Sequence, residues 1–171
     1  DAEGLRKAIA TQQVDLVITN PGYYVAMEAE FGLSRIATLE TGGTTAAQAL
    51  GSVVLVRADR TDLAQLSDLA GKRVAAVAPE AFGGWLVAAR ELARQGVDPE
   101  SALRELRFVG LPMTRVIDAV RQGQVDAGIV RACLPEQLAA LGELDLAAFR
   151  ALSPRAGEAL PCWLSTMLYP N

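Results

Sequence analysis

Leu5-Arg6-Lys7-Ala8-Ile9-Ala10-Thr11-Gln12-Gln13-Val14-Asp15-Leu16-Val17-Ile18 is echoed by Val116-Ile117-Asp118-Ala119-Val120-Arg121-Gln122-Gly123-Gln124-Val125-Asp126-Ala127-Gly128-Ile129. In both copies an apolar stretch at helical spacing passes through a Gln-Val-Asp triplet into a short β-prone run. A helix, a tight turn and a buried strand are thus used twice, about a hundred residues apart. Repetition of one supersecondary unit at that distance predicts two similar α/β lobes rather than one continuous sheet.

The rest of the chain keeps the alternation. Strands are predicted at Val14–Thr19, Arg35–Leu39, Ser52–Val56, Arg73–Val77, Phe108–Gly110 and Val125–Val130. Helices are predicted at Tyr23–Phe31, stopped by Gly32, at Gly83–Gln95, followed by Gly96, at Thr114–Gln122 and at Pro135–Leu141. Strands separated by helices imply βαβ units and a mostly parallel sheet. Gly51–Arg57 lies between the two copies and suits a crossover strand. The expected division is a first lobe from 1–52 plus 155–171 and a second from 53–154.

Composition excludes several functions. The chain of 171 residues holds no His, which removes Ser-His-Asp and Cys-His catalysis and imidazole metal ligands. Two thiols without His make a poor metal site. With 14 Arg, 2 Lys and a net charge of −4 there is no basic run, against nucleic-acid binding. The longest uncharged run, Thr41–Val56, is half polar or Gly, whereas a spanning helix needs about 20 mostly apolar residues. The chain starts at Asp1 without Met or signal peptide and reads as a piece of a larger protein. Met27, Met113 and Met167 are expected to fill the core.

In open α/β sheets, ligands bind beyond the carboxyl ends of strands. Those ends carry Asn20-Pro21-Gly22-Tyr23-Tyr24, then Phe82-Gly83-Gly84, then Arg131. Gly83-Gly84 at a helix start lets a ligand approach free backbone N–H groups, and the helix dipole favours an anion. Arg131 offers a planar charged fork for an oxyanion. Asn20 can donate and accept, and one of Tyr23 and Tyr24 can face a cleft squarely, since neighbours on a helix point about 100° apart. Thr44 and Thr45 offer hydroxyls. Asp15 and Asp126 occupy matched places in the repeat, which makes them turn or cap residues rather than a catalytic pair. Cys133 and Cys162 are either buried free thiols or, in an oxidising compartment, a bridge pinning the tail. Such a bridge closes a loop of roughly 30 residues, worth on the order of 3–4 kcal/mol.

Val14–Val25, Leu66–Ala75 and Gly123–Arg131 resemble periplasmic binding proteins of the phosphonate-binding type. Leu164-Ser165-Thr166-Met167-Leu168-Tyr169-Pro170 resembles the sensor regions of histidine kinases related to tetrathionate sensors. The resemblance implies an α/β, two-lobed type II periplasmic-binding-protein fold with its first lobe truncated at the N-terminus. It implies export to the periplasm and, with it, a Cys133–Cys162 disulfide. It implies a small ligand held by Asn20, Tyr23, Tyr24, Phe82, Gly83, Gly84 and Arg131; Thr44 and Thr45 join the candidate set for their hydroxyls, Gly83-Gly84 with Arg131 favour an anion, and no cofactor is expected. The segment Glu80-Ala81-Phe82-Gly83-Gly84 lacks the hydroxyls of the phosphonate binders, which weakens the expectation of phosphonate itself. The implied role is oxyanion sensing for the kinase region and membrane helix of one longer chain, with a homodimer left open. The alternative is a solute-binding protein of an ABC transporter for a phosphonate-like or other small anion. An effector domain of a transcription regulator and a Cys133 redox enzyme are weaker alternatives.

Overall fold

The computed structural model describes residues 2–38, 50–156 and 160–169. It begins with α1 (Ala2–Ala10) and α2 (Pro21–Phe31). Asn20 caps α2: its Oδ1 accepts from Tyr23 N at 3.0 Å, and Pro21 starts the helix. Gly32, left-handed at φ 70°, ends it by donating to Glu28 O.

Five strands follow: β1 (Ser52–Arg57), β2 (Arg73–Ala76), β3 (Glu105–Phe108), β4 (Ala127–Arg131) and β5 (Phe149–Ala151). They form one sheet in the order β3-β2-β4-β1-β5. A π-helical turn (Phe82–Leu86) runs into α3 (Val87–Arg94), and α4 (Thr114–Arg121) and α5 (Leu134–Ala140) complete the set.

The sheet is mixed, which corrects the mostly parallel expectation. β2 runs parallel to β3 and β4, but β1 is antiparallel to both β4 and β5. The core is built on β1, whose strand was predicted and whose Val53, Val54, Leu55 and Val56 are fully buried. Leu92 and Ala88 of α3 and Val116, Ile117 and Val120 of α4 pack on it. At Gly128 of β4 a Cβ would stand 2.7 Å from both Val116 Cγ1 and Val120 Cγ2, so this glycine lets α4 sit directly on the strand.

Two expected strands do not form. Residues 14–19 and the described part of 35–39 carry no regular structure, and Leu16, Ile18 and Ile36 are exposed. The second copy of the repeat does form its strand, because β4 lies between β2 and β1. No neighbouring strand meets residues 14–19 among the described residues, and a strand exists only in a ladder. β3 begins three residues earlier than predicted, although Val109 and Gly110 still donate to Ala76 O and Val77 O. β5 was not predicted at all. Met27 is buried and Met113 packs against the core, but Met167 is exposed, against expectation.

The two copies of the Asp part ways as well. Asp126 Oδ2 accepts from Arg73 N at 2.9 Å and Arg73 Nε at 3.1 Å, and its Oδ1 from Arg60 Nη1 at 2.8 Å. It ties the start of β2 to the start of β4, as a cap residue should. Asp15 is exposed.

Candidate functional site

β2 and β4 end at the sheet edge where antiparallel β1 begins, with Ser52 opposite Arg131. The π-helical turn after β2 folds back over this edge. A Cβ on Gly83 would stand 3.3 Å from both Arg131 Cγ and Gly51 O, so the Arg131 stem lies against the bare glycine backbone. Ser52 Oγ, fully buried, donates to Gly83 O at 2.7 Å and fixes the turn. A Cβ on Gly84 would come within 2.7 Å of Val77 Cγ2. Close approach therefore requires glycine at 84, while at 83 a Cβ fits only tightly. Leu86 N donates to Ala81 O and Val87 N to Phe82 O, while the N–H groups of Phe82, Gly83 and Gly84 find no acceptor among the described residues. These groups and the exposed Arg131, with one guanidinium contact to Gln137 Oε1 at 3.1 Å, carry positive potential at this edge.

The start of α2 comes up against the same turn: a Cβ on Gly22 would lie 2.7 Å from Glu80 O and 2.8 Å from Leu86 Cδ1. Tyr23 is half-buried there; burial and then the Glu80 carboxylate push its phenol above the ordinary value. Phe82, Gly83, Gly84 and Arg131 are thus gathered, with Asn20 and Tyr23 at the adjoining helix start. Asn20 spends its side-chain carbonyl on the cap, and its amide N–H groups meet no acceptor among the described residues. Tyr24 is turned along α2, donating to Glu28 Oε1 at 2.6 Å, and this hydrogen bond raises its phenol. Thr44 and Thr45 lie outside the described residues.

Behind the edge the tail runs beside β1. Leu50 and Tyr169 exchange backbone hydrogen bonds, Ser165 N donates to Ser52 O, and Thr166 Oγ1 accepts from Ser52 N. Cys133 and Cys162 form a disulfide, and Trp163 N donates to Glu136 Oε1 at 2.5 Å, so the tail is anchored to α5 two residues beyond Arg131. Ser52, Glu80, Arg90 and Tyr169 were not predicted as site residues. Only the Phe82, Leu86, Arg90 spacing hinted at a shared helix face. Among the described residues no group of His, Cys, Asp or Glu could hold a metal ion, and no helix is long and apolar enough to cross a membrane.

A mixed sheet flanked by helices, shared with the solved binding proteins below, is that of a type II periplasmic binding-protein fold. The chain belongs to the family of phosphonate periplasmic substrate-binding proteins of ABC transporters, whose model matches residues 1–167. It is 35% identical to the tetrathionate sensor histidine kinase TtrS of Salmonella typhimurium, over all of this chain and 29% of that protein. Among solved structures it is similar to a binding-protein component of an ABC phosphonate transporter from Pseudomonas aeruginosa (TM-score 0.71, 16% identity, 89% of this chain and 50% of that one). It is also similar to PhnD1 of Prochlorococcus marinus, solved with methylphosphonate (TM-score 0.62, 15% identity, 89% and 56%). The chain therefore spans less than a third of the curated relative and about half of these solved chains.

Proposed function

We propose that this chain is the periplasmic ligand-sensing region of a membrane histidine kinase and binds a small oxyanion. The observation that carries the reading is the 35% identity to a tetrathionate sensor kinase along the whole chain. Tetrathionate, an anion with a sulfonate at each end, is the first ligand to test. Gly83, Gly84 and Arg131 receive an anionic end; Asn20, Tyr23 and Phe82 complete the seat, with Tyr24, Thr44 and Thr45 as its further candidates. Residues 1–52 with 155–171 form one lobe and 53–154 the other. A ligand that prefers the closed arrangement biases the protein toward it, and that bias is what the kinase reads. The chain itself binds without catalysing, and the Cys133–Cys162 bridge suits an oxidising compartment.

Thermal unfolding with tetrathionate, thiosulfate, sulfate and methylphosphonate tests this. A ligand at 100 times its Kd stabilises by about 2.7 kcal/mol, and each kcal/mol is worth roughly 2–4 °C at this size. No shift with any of these oxyanions refutes the reading. A second reading, a solute-binding protein serving an ABC transporter, is supported by the family model. A full-length sequence holding a membrane helix and kinase region selects the sensor, and one lacking both selects the carrier.

A further inference from the structure

Phe82, Leu86 and Arg90 follow one another at four-residue spacing along the continuous helix formed by the π-turn and α3. With Val87 and Tyr169 they line a cavity of about 240 Å³. That is roughly the liquid volume of eight waters, below the size of a drug pocket but enough for a small organic ligand. Its walls are mostly apolar: two aromatic rings, packed edge to face with centroids 6.2 Å apart, and two aliphatic side chains.

The single charge is Arg90. Its Cζ lies 5.6 Å from the centre of the Tyr169 ring. No carboxylate pairs with it, and no acceptor takes its N–H groups, among the described residues. A cation–π contact consumes none of the guanidinium's five N–H donors, so they stay available to a ligand. Tyr169 is itself held by paired backbone hydrogen bonds to Leu50. Arg90 is therefore aligned yet unspent. Arg131 instead has a Gln137 contact, and Arg94, one turn beyond Arg90, is engaged with Met167 Sδ at 3.0 Å.

We propose that Arg90, over the Phe82–Tyr169 floor, is a ligand-binding residue that selects anions carrying an apolar or polarisable body over compact inorganic ones. This rests on the reading of the neighbouring edge as an anion site and adds to it a second cation and an apolar wall. The anionic group takes the free edge of the guanidinium, and the body of the ligand covers Leu86 and the two rings.

Calorimetry on the full chain with benzenesulfonate, methanesulfonate and sulfate tests it. Benzenesulfonate binds about tenfold or more tighter than either smaller anion, because only it covers the apolar wall. Arg90→Gln weakens benzenesulfonate about tenfold or more, the loss expected of a charge-assisted fork, and Arg90→Lys, which keeps the charge but not the fork, falls between. Unchanged affinity in Arg90→Gln, sulfate binding as tightly as benzenesulfonate, or no benzenesulfonate binding at millimolar concentration overturns the proposal. Oxyanion binding that is lost in Arg131→Gln but kept in Arg90→Gln overturns it while leaving the edge site standing.

Discussion

Replacing Asp126 with Ala removes the one carboxylate that holds the starts of β2 and β4 together. Its side chain is 16% exposed, against 19% for Arg60 and 34% for Arg73. Burial alone would raise its pKa, but the hydrogen bonds from Arg73 and Arg60 outweigh that and hold it well below the usual carboxylate range. Taking one partner from a buried pair costs about 3–5 kcal/mol when the other charge is left unpaired, but here Arg60 keeps its two bonds to Asp62, and Arg73 its bonds to Gln124 O and Gly123 O. With those partners retained and the site partly exposed, the loss falls below that range, about 2 kcal/mol at pH 7, or roughly 4–8 °C in Tm for a domain of this size. A depressed carboxylate stabilises the fold above its unfolded pKa of about 3.9, and this is lost as the pH falls through the lower folded value. Urea unfolding at pH 7 and at pH 2.5 should therefore show a wide gap between wild type and Asp126→Ala that narrows in acid. A gap below about 1 kcal/mol at pH 7, or one that persists undiminished in acid, refutes the argument. Asp15→Ala, at the matched place in the first copy, is the internal control and stays within about 0.5 kcal/mol.

Arg131→Ala should abolish binding of the oxyanion found by thermal shift; affinity retained at low and high salt alike counts against an anionic ligand. Gly84→Ala sets a Cβ 2.7 Å from Val77 Cγ2, and overpacking of this kind costs about 1–3 kcal/mol in a denaturant titration; an unaffected midpoint would contradict the close approach. Replacing both cysteines by Ser should cost on the order of 3–4 kcal/mol, and two free thiols counted in unreduced, periplasmically made protein would disprove the bridge.

The proposed anion edge was legible in the sequence to the extent that its chemistry is local. A Gly-Gly pair before an amphipathic run marks a helix start that admits close approach, and Gly84 in particular is required as bare backbone. Arg131, last residue of its strand, had to lie at the same edge once β2 and β4 were parallel neighbours. Tyr24 could not be separated from Tyr23 by sequence, because the choice depends on which side of α2 meets the turn at Glu80. Arg90 and Tyr169 are 79 positions apart in the chain, and nothing local in either residue announces the pairing.

The repeated helix–turn–strand unit draws the boundary most clearly. The apolar periodicity, the caps at Asn20 and Gly32, the buried run Val53–Val56 and the lack of any imidazole chemistry all follow from residue identity and near neighbours. Whether a β-prone run becomes a strand does not. Val125–Val130 and Val14–Ile18 carry the same local instruction, yet only the first yields a strand, because β2 and β1 flank it and supply the ladder. The antiparallel insertion of β1, the edge at which Ser52, Gly83 and Arg131 meet, and the seating of Arg90 over Tyr169 were likewise decided by the tertiary structure. A helix turn closes its hydrogen bonds within itself, whereas a strand, a cleft and a cation over a ring exist only when distant segments arrive together.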